Sequence, residues 1–153
     1  MDPVTIANEA TLIYDNITKN SNAVVTRILS LYDLTATKEA LLDSYTPGQT
    51  ITYITRVENT GSASLYNLTI VDDLANGTLQ YIDTSIEGYL NGSPIEIDVQ
   101  KTANTVTFKI DNVLNPNDNV LIIFETTTPT TNPEQITNTQ TITANGGSTT
   151  GPI

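Results

Sequence analysis

Apolar and polar residues alternate in short runs along this chain, and Gly, Pro, Asn and Asp separate the runs. Alternation with period two is the pattern of half-buried strands, and those four residues supply the turns between them. The runs predict strands over 4–14, 23–42, 50–59, 64–74, 79–86, 95–99, 106–110, 119–127 and 135–143. The run over 23–42 is too long for one unbroken strand, so a bend is expected near Tyr32 and Asp33. "YTPGQT" predicts a Pro-Gly turn, "ENTGSAS" a hairpin connection and "YLNGSPI" an Asn-Gly hairpin. "LNPNDN" and "TTPTTNPEQ" read as loops at the two ends of a late strand. Seven to nine such strands predict an all-β, immunoglobulin-like antiparallel β-sandwich with an N-terminal strand arm.

Composition narrows the function more than the fold. A length of 153 residues suits one domain plus an appendage. Two Phe and no Trp leave an aliphatic core. A net charge of −11 with six Lys plus Arg excludes an electrostatic nucleic-acid footprint. No cysteine means no disulfide, and no histidine removes the commonest general base and transition-metal ligand. No window reaches the length of a membrane span, and an exported protein would carry its signal and anchor elsewhere. No cofactor and no metal site is expected.

The chain also echoes itself. "TIANEATLI" at 5–13 matches "QITNTQTIT" at 135–143, with Ile6, Asn8, Ala10 and Leu12 parallel to Ile136, Asn138, Gln140 and Ile142. Residues 1–25 therefore read as the tail of a preceding repeat or an N-terminal strand arm. Residues 26–145 are then a complete sandwich repeat and 146–153 a flexible tail. The echoed strand is a candidate to add to the sheet of a neighbouring repeat or subunit.

"YTPGQTITYITRVENTGSASLYNLTIVDDL" at 45–74 resembles the DUF-eleven conserved repeats of bacterial and archaeal cell-surface proteins. The pattern's places hold Lys38, Pro47 with Gly48, Tyr53, Asn59-Thr60-Gly61, and Asp72 with Leu74, and "ITNTQTI" is similar to its closing strand. One departure is Ala75, which stands where a proline is usual. The resemblance implies an extracellular sandwich module in a surface or wall-attached protein, without catalytic turnover. It also implies that a spontaneous Lys–Asn isopeptide crosslink, assisted by a buried acid, is open to such a module.

Three polar residues fall on apolar rows: Lys38 between Ala36 and Ala40, Asp72 after Leu68 and Ile70, and Asn138 with Ile136 and Ile142. Burying any one alone is costly unless partners converge. A neutral Lys38 amine could attack the Asn138 carboxamide and release ammonia, with a protonated Asp72 bonded to the carbonyl and shuttling a proton. A Lys38–Asp72 ion pair satisfied by Asn138, or a Lys38 that snorkels to water, would explain the same pattern. Asp73, Glu125 and Glu39 are alternative acids, since a one-residue register shift exchanges the faces.

Other signals carry less. Asp111, Asp118 and the Asn-rich loop around them lack EF-hand spacing. Asn16, Asn67 and Asn76 head N-glycosylation triplets of the kind an Asn- and Thr-rich chain produces by chance. Two function classes remain: a structural stalk module of a surface or fibre protein, and a sandwich adhesin module that binds a glycan, a host protein or calcium. A hydrolase is a distant third, because no nucleophile, base and orienter stand together by motif.

Overall fold

The structure is a computed structural model that describes residues 4–8, 11–14, 17–21, 24–28, 31–131 and 135–146. It falls into two units, Met1–Leu31 and Tyr32–Ile153. The expected flexible tail beyond residue 146, and Asn16, lie outside the described residues.

In the first unit β1 (Val4–Asn8) pairs antiparallel with β4 (Val24–Ile28), and β2 (Thr11–Tyr14) pairs with β3 (Ile17–Asn20). The second ladder is nested within the first in sequence. The single strand expected over 4–14 is thus two strands. The run over 23–42 is likewise divided between the units, and the expected bend at Tyr32 is a boundary.

The second unit is an immunoglobulin-like sandwich. Its first sheet has six strands: β10 (Ser93–Ile95), β9 (Glu87–Leu90), β13 (Asn119–Thr127), β6 (Thr50–Asn59) and β5 (Leu34–Ala40) in order, with β8 (Gln80–Tyr81) beside β13. The second has four, in the order β11 (Asp98–Lys101), β12 (Val106–Ile110), β7 (Leu65–Asp72) and β14 (Gln140–Gly146). Every ladder is antiparallel.

Alternation decides what each strand buries. On β6, Ile51, Tyr53, Thr55, Val57 and Asn59 point inward, and on β13 Val120, Ile122, Phe124 and Thr126 do. Phe108 of β12 meets Phe124 across the sandwich with ring centroids 5.0 Å apart. β7 breaks its own rhythm. Asn67 has φ 51°, and β14 shifts register opposite it between Thr143 and Asn145, so Leu65 and Leu68 both face inward. Past that bulge the inward row reads Leu68, Ile70, Asp72.

Two expectations change here. "ENTGSAS" is not a hairpin: β6 lies in the first sheet and β7 in the second, so the segment crosses between them. The buried Asn59 holds that crossing, donating to the carbonyls of Ala63 (2.9 Å) and Leu114 (2.8 Å) and accepting from the Gly61 amide (3.0 Å). "YLNGSPI" is the expected hairpin, with Asn91 and Gly92 at φ 50° and 81°. Also, β5 is an edge strand, so Ala36 and Ala40 are exposed and the inward apolar row expected around Lys38 is absent.

Replacing Asn59 with Leu removes three hydrogen bonds but leaves the Leu114 carbonyl bonded to the Leu65 amide and the Gly61 amide bonded to the Asp33 carbonyl, so of these groups the Ala63 carbonyl alone loses its partner. The expected loss is about 1–3 kcal/mol in chemical denaturation, the cost of one unsatisfied polar group.

Candidate functional site

Lys38 and Asp72 belong to different sheets. On β5, Lys38 stands opposite Thr55 of β6, and on β7, Asp72 stands opposite Gln140 of β14. Hydrogen bonds cross the sandwich between the two pairs. Lys38 Nζ donates to Asp72 Oδ2 at 2.7 Å, and Thr55 Oγ1 donates to Gln140 Oε1 at 2.8 Å. The Asp72 side chain is 0% exposed and that of Lys38 15%.

Donors fill the rest of the carboxylate. Gln140 Nε2 at 3.0 Å and Asn138 Nδ2 at 3.4 Å also reach Asp72 Oδ2, and the Leu74 amide reaches Oδ1 at 2.9 Å. Lys38 Nζ further donates to the Asn138 backbone carbonyl at 3.3 Å and lies 4.6 Å from the centre of the Tyr53 ring. Burial pulls the lysine below its ordinary pKa, outweighing the opposing charge and hydrogen bond of Asp72 and the charge of Asp73. Burial pushes the Tyr53 hydroxyl up, against a hydrogen bond with the Asn138 side chain.

All three residues expected at the site therefore converge, but one contact differs from expectation. The Asn138 carbonyl oxygen accepts not from Asp72 but from the Ala75 amide, at 3.2 Å. A backbone N–H can only donate, so the atom facing it must be Oδ1, which turns Nδ2 toward Asp72. Ala75 can do this because it carries a backbone N–H, which a proline at that position would lack.

The alternative acids fall elsewhere. Glu39 is exposed, Glu125 lies beside Thr52 at 3.4 Å, and Asp73 faces Thr139. Sequence reasoning missed Gln140 and Thr55 as members of the site. Gln140 continues the Asn138 row at two-residue spacing, which was a usable signal, whereas Thr55 looks like any strand threonine. A surface cleft of about 480 Å³ opens over Lys38 and Asn138, with Leu42, Tyr45, Ile51 and Ile136 in its walls.

Chemically, one carboxylate oxygen touches both the amine and the carboxamide nitrogen, while an amide N–H holds the carboxamide oxygen. The amine, the acid and the carboxamide thus belong to one hydrogen-bonded cluster.

Solved structures resemble the chain in fold. BcpA, the major pilin subunit of Bacillus cereus, aligns with TM-score 0.59 and 12% identity over 91% of this chain and 43% of that one. The pilus backbone RrgB of Streptococcus pneumoniae aligns with TM-score 0.54 and 14% identity over 75% and 31%. The collagen-binding domain of a Staphylococcus aureus adhesin aligns with TM-score 0.50 and 16% identity over 80% and 90%. The chain thus spans less than half the length of either pilin. No family model matches it, and no curated protein matches it in sequence.

In an Asn138→Ala background, where no amide can form, Asp72→Ala leaves a half-buried ammonium without its partner. The expected cost is about 3–5 kcal/mol. Replacing the pair together, as Lys38→Met with Asp72→Leu, costs clearly less in the same denaturation measurement.

Proposed function

We propose that this chain is a structural module of a bacterial cell-surface or fibre protein, of the DUF-eleven repeat type, whose two sheets are joined by an amide bond between Lys38 and Asn138. The observation that carries the reading is the convergence of amine, acid and carboxamide on Asp72 Oδ2, at 2.7 and 3.4 Å. The pilin-like and adhesin-like fold supports the setting. A ligand-binding module ranks second, because the polar atoms gathered at this site are bonded to one another.

The reaction balances without a co-reactant. The Lys38 ammonium gives one proton to Asp72, and the neutral amine attacks Asn138 Cγ as the carbonyl π pair moves to Oδ1. Asp72 returns that proton to Nδ2 and takes a second from the attacking nitrogen. The Oδ1 pair re-forms the carbonyl, the Cγ–Nδ2 bond breaks, and the ammonia takes the second proton from Asp72. Ammonium leaves through the cleft, Asp72 ends as a carboxylate, and Lys38 keeps one N–H in the new amide. Each molecule reacts once, so no turnover is implied. Contact between the groups supplies much of the barrier lowering.

The bond would tie β5 to the segment that leads into β14, near the two ends of the sandwich. Pulling on the ends would then load a covalent bridge and spare the ladders between. The N-terminal unit gives the module a second property. A two-stranded ladder is marginally stable in water, so the strands of the first unit favour pairing with strands of a neighbouring repeat or subunit.

Two measurements test this. In single-molecule pulling, the 100 residues that separate Lys38 from Asn138 should stay unextended. The Lys38→Ala variant should lengthen by about 330–360 Å more, at about 3.3–3.6 Å per residue. Equal lengths would contradict the bridge. In light scattering, removal of residues 1–31 should abolish concentration-dependent association of the chain, and unchanged association would contradict the role given to the arm.

A further inference from the structure

The turn after β7 is unusual in its backbone. Leu74, Ala75, Asn76 and Gly77 have φ of 49°, 52°, 56° and 80° in succession. Only glycine adopts this left-handed region freely, and each of the others costs about 1–2 kcal/mol there. Three such residues in a row persist only if their surroundings over-determine them, and strain of this kind gathers at functional sites.

The surroundings are two adjacent aspartates. Asp72 Oδ1 accepts from the Leu74 amide, and Asp73 Oδ1 accepts from the Ala75 amide at 2.9 Å. Asp73 also reaches across to the closing segment. Its Oδ1 accepts from the Thr139 amide at 3.1 Å and its Oδ2 from the Thr139 hydroxyl. Residues 135–139 form no ladder, so this clamp does for them what a neighbouring strand does for 140–146. In the other direction the Asp73 amide donates to the Thr139 carbonyl at 3.1 Å. The residue held, Thr139, is the immediate neighbour of Asn138.

We propose that Asp73 is the positioning residue of the Lys38–Asn138 site, locking the left-handed turn to the closing segment so that the Ala75 amide serves as the donor for Asn138 Oδ1. The inference rests on the crosslinking reading above and adds two groups to it. In the ground state the Ala75 N–H orients the carboxamide, which sets Nδ2 toward Asp72 as the leaving group. As Lys38 Nζ bonds to Cγ, negative charge develops on Oδ1, and the same N–H, shared between Asp73 Oδ1 at 2.9 Å and Asn138 Oδ1 at 3.2 Å, already faces it. No group other than those already in the balanced reaction gains or loses a proton. Burial raises the Asp73 carboxyl, but its hydrogen bonds with Thr139 and Ala75, with the charge of Lys38, outweigh this and hold it below the ordinary aspartate range. It is therefore an ionised acceptor near neutral pH and not the proton shuttle.

Positioning and acid catalysis are separated by substitution. Asn at 73 keeps a carbonyl oxygen for the Ala75 and Thr139 amides and an NH₂ for the Thr139 hydroxyl, whereas Ala keeps nothing. The full-length chain, pulse-labelled during synthesis and chased, is followed by intact mass for the loss of about 17 Da that accompanies release of ammonia. Asp73→Ala should slow that loss about ten- to a hundredfold, the scale expected when reacting groups are misplaced by about an ångström. Asp73→Asn should restore the rate to within a few fold of the unsubstituted chain.

Equal slowing by Ala and Asn at 73, or no slowing by either, overturns the positioning role while the unsubstituted chain still loses mass. If Asp73→Ala fails to fold, Asp73→Asn alone decides, because a strongly slowed Asn variant that folds is incompatible with the clamp. Absence of mass loss in the unsubstituted, folded chain removes the crosslink itself and this role with it, a distinct result.

Discussion

A carboxylate enclosed between two sheets sets the terms for the rest of this site. Asp72 is fully buried, and an uncompensated charge there would cost several kcal/mol, a large part of a domain's stability. Four donors from three parts of the chain answer it: Lys38 from β5, Asn138 and Gln140 from the closing segment, and the Leu74 amide from its own turn. Each must arrive in register for the acid to be tolerated. The acid therefore specifies how the outermost strands of the two sheets dock.

The same requirement explains the geometry around it. β5 and β14 are the edge strands of their sheets, and edges have the fewest ladder bonds to hold them. Their attachment through Asp72 is a side-chain attachment, from Lys38 on one side and Gln140 on the other. An amide between Lys38 and Asn138 would convert part of that attachment into a covalent bond at the place where the ladders are weakest. Burial lowers the Lys38 pKa, while the adjacent Asp72 carboxylate and the Tyr53 ring favour its charged form.

How much of this could be read from the sequence depended on period two. Thr50–Asn59, Val106–Ile110 and Asn119–Thr127 alternate without interruption, and the structure places strands with those bounds. Lys38, Asp72 and Asn138 read as polar residues on apolar rows, and they do meet, although the row around Lys38 is exposed at Ala36 and Ala40. Where the rhythm breaks, local reading fails. The Asn67 bulge, the sheet crossing at Asn59 and the left-handed turn at Leu74–Gly77 are set by contacts distant in sequence. Ala75 was legible only as a departure from a resembling pattern, and its role depends on a positive φ that no propensity for alanine suggests. The arm shows the converse: its alternation is real, but the strand paired with Val4–Asn8 is Val24–Ile28, a local partner that the echo with the closing strand concealed.

The central claim is that Lys38 and Asn138 share a covalent bond, and intact mass reads it directly. The purified full chain and its Lys38→Ala variant are denatured and each is compared with its own calculated mass. A deficit of about 17 Da in the unsubstituted chain alone is the predicted result, corresponding to the ammonia released. Full calculated mass in both, from samples shown to be folded, would contradict the account and leave Lys38 and Asp72 as a buried ion pair.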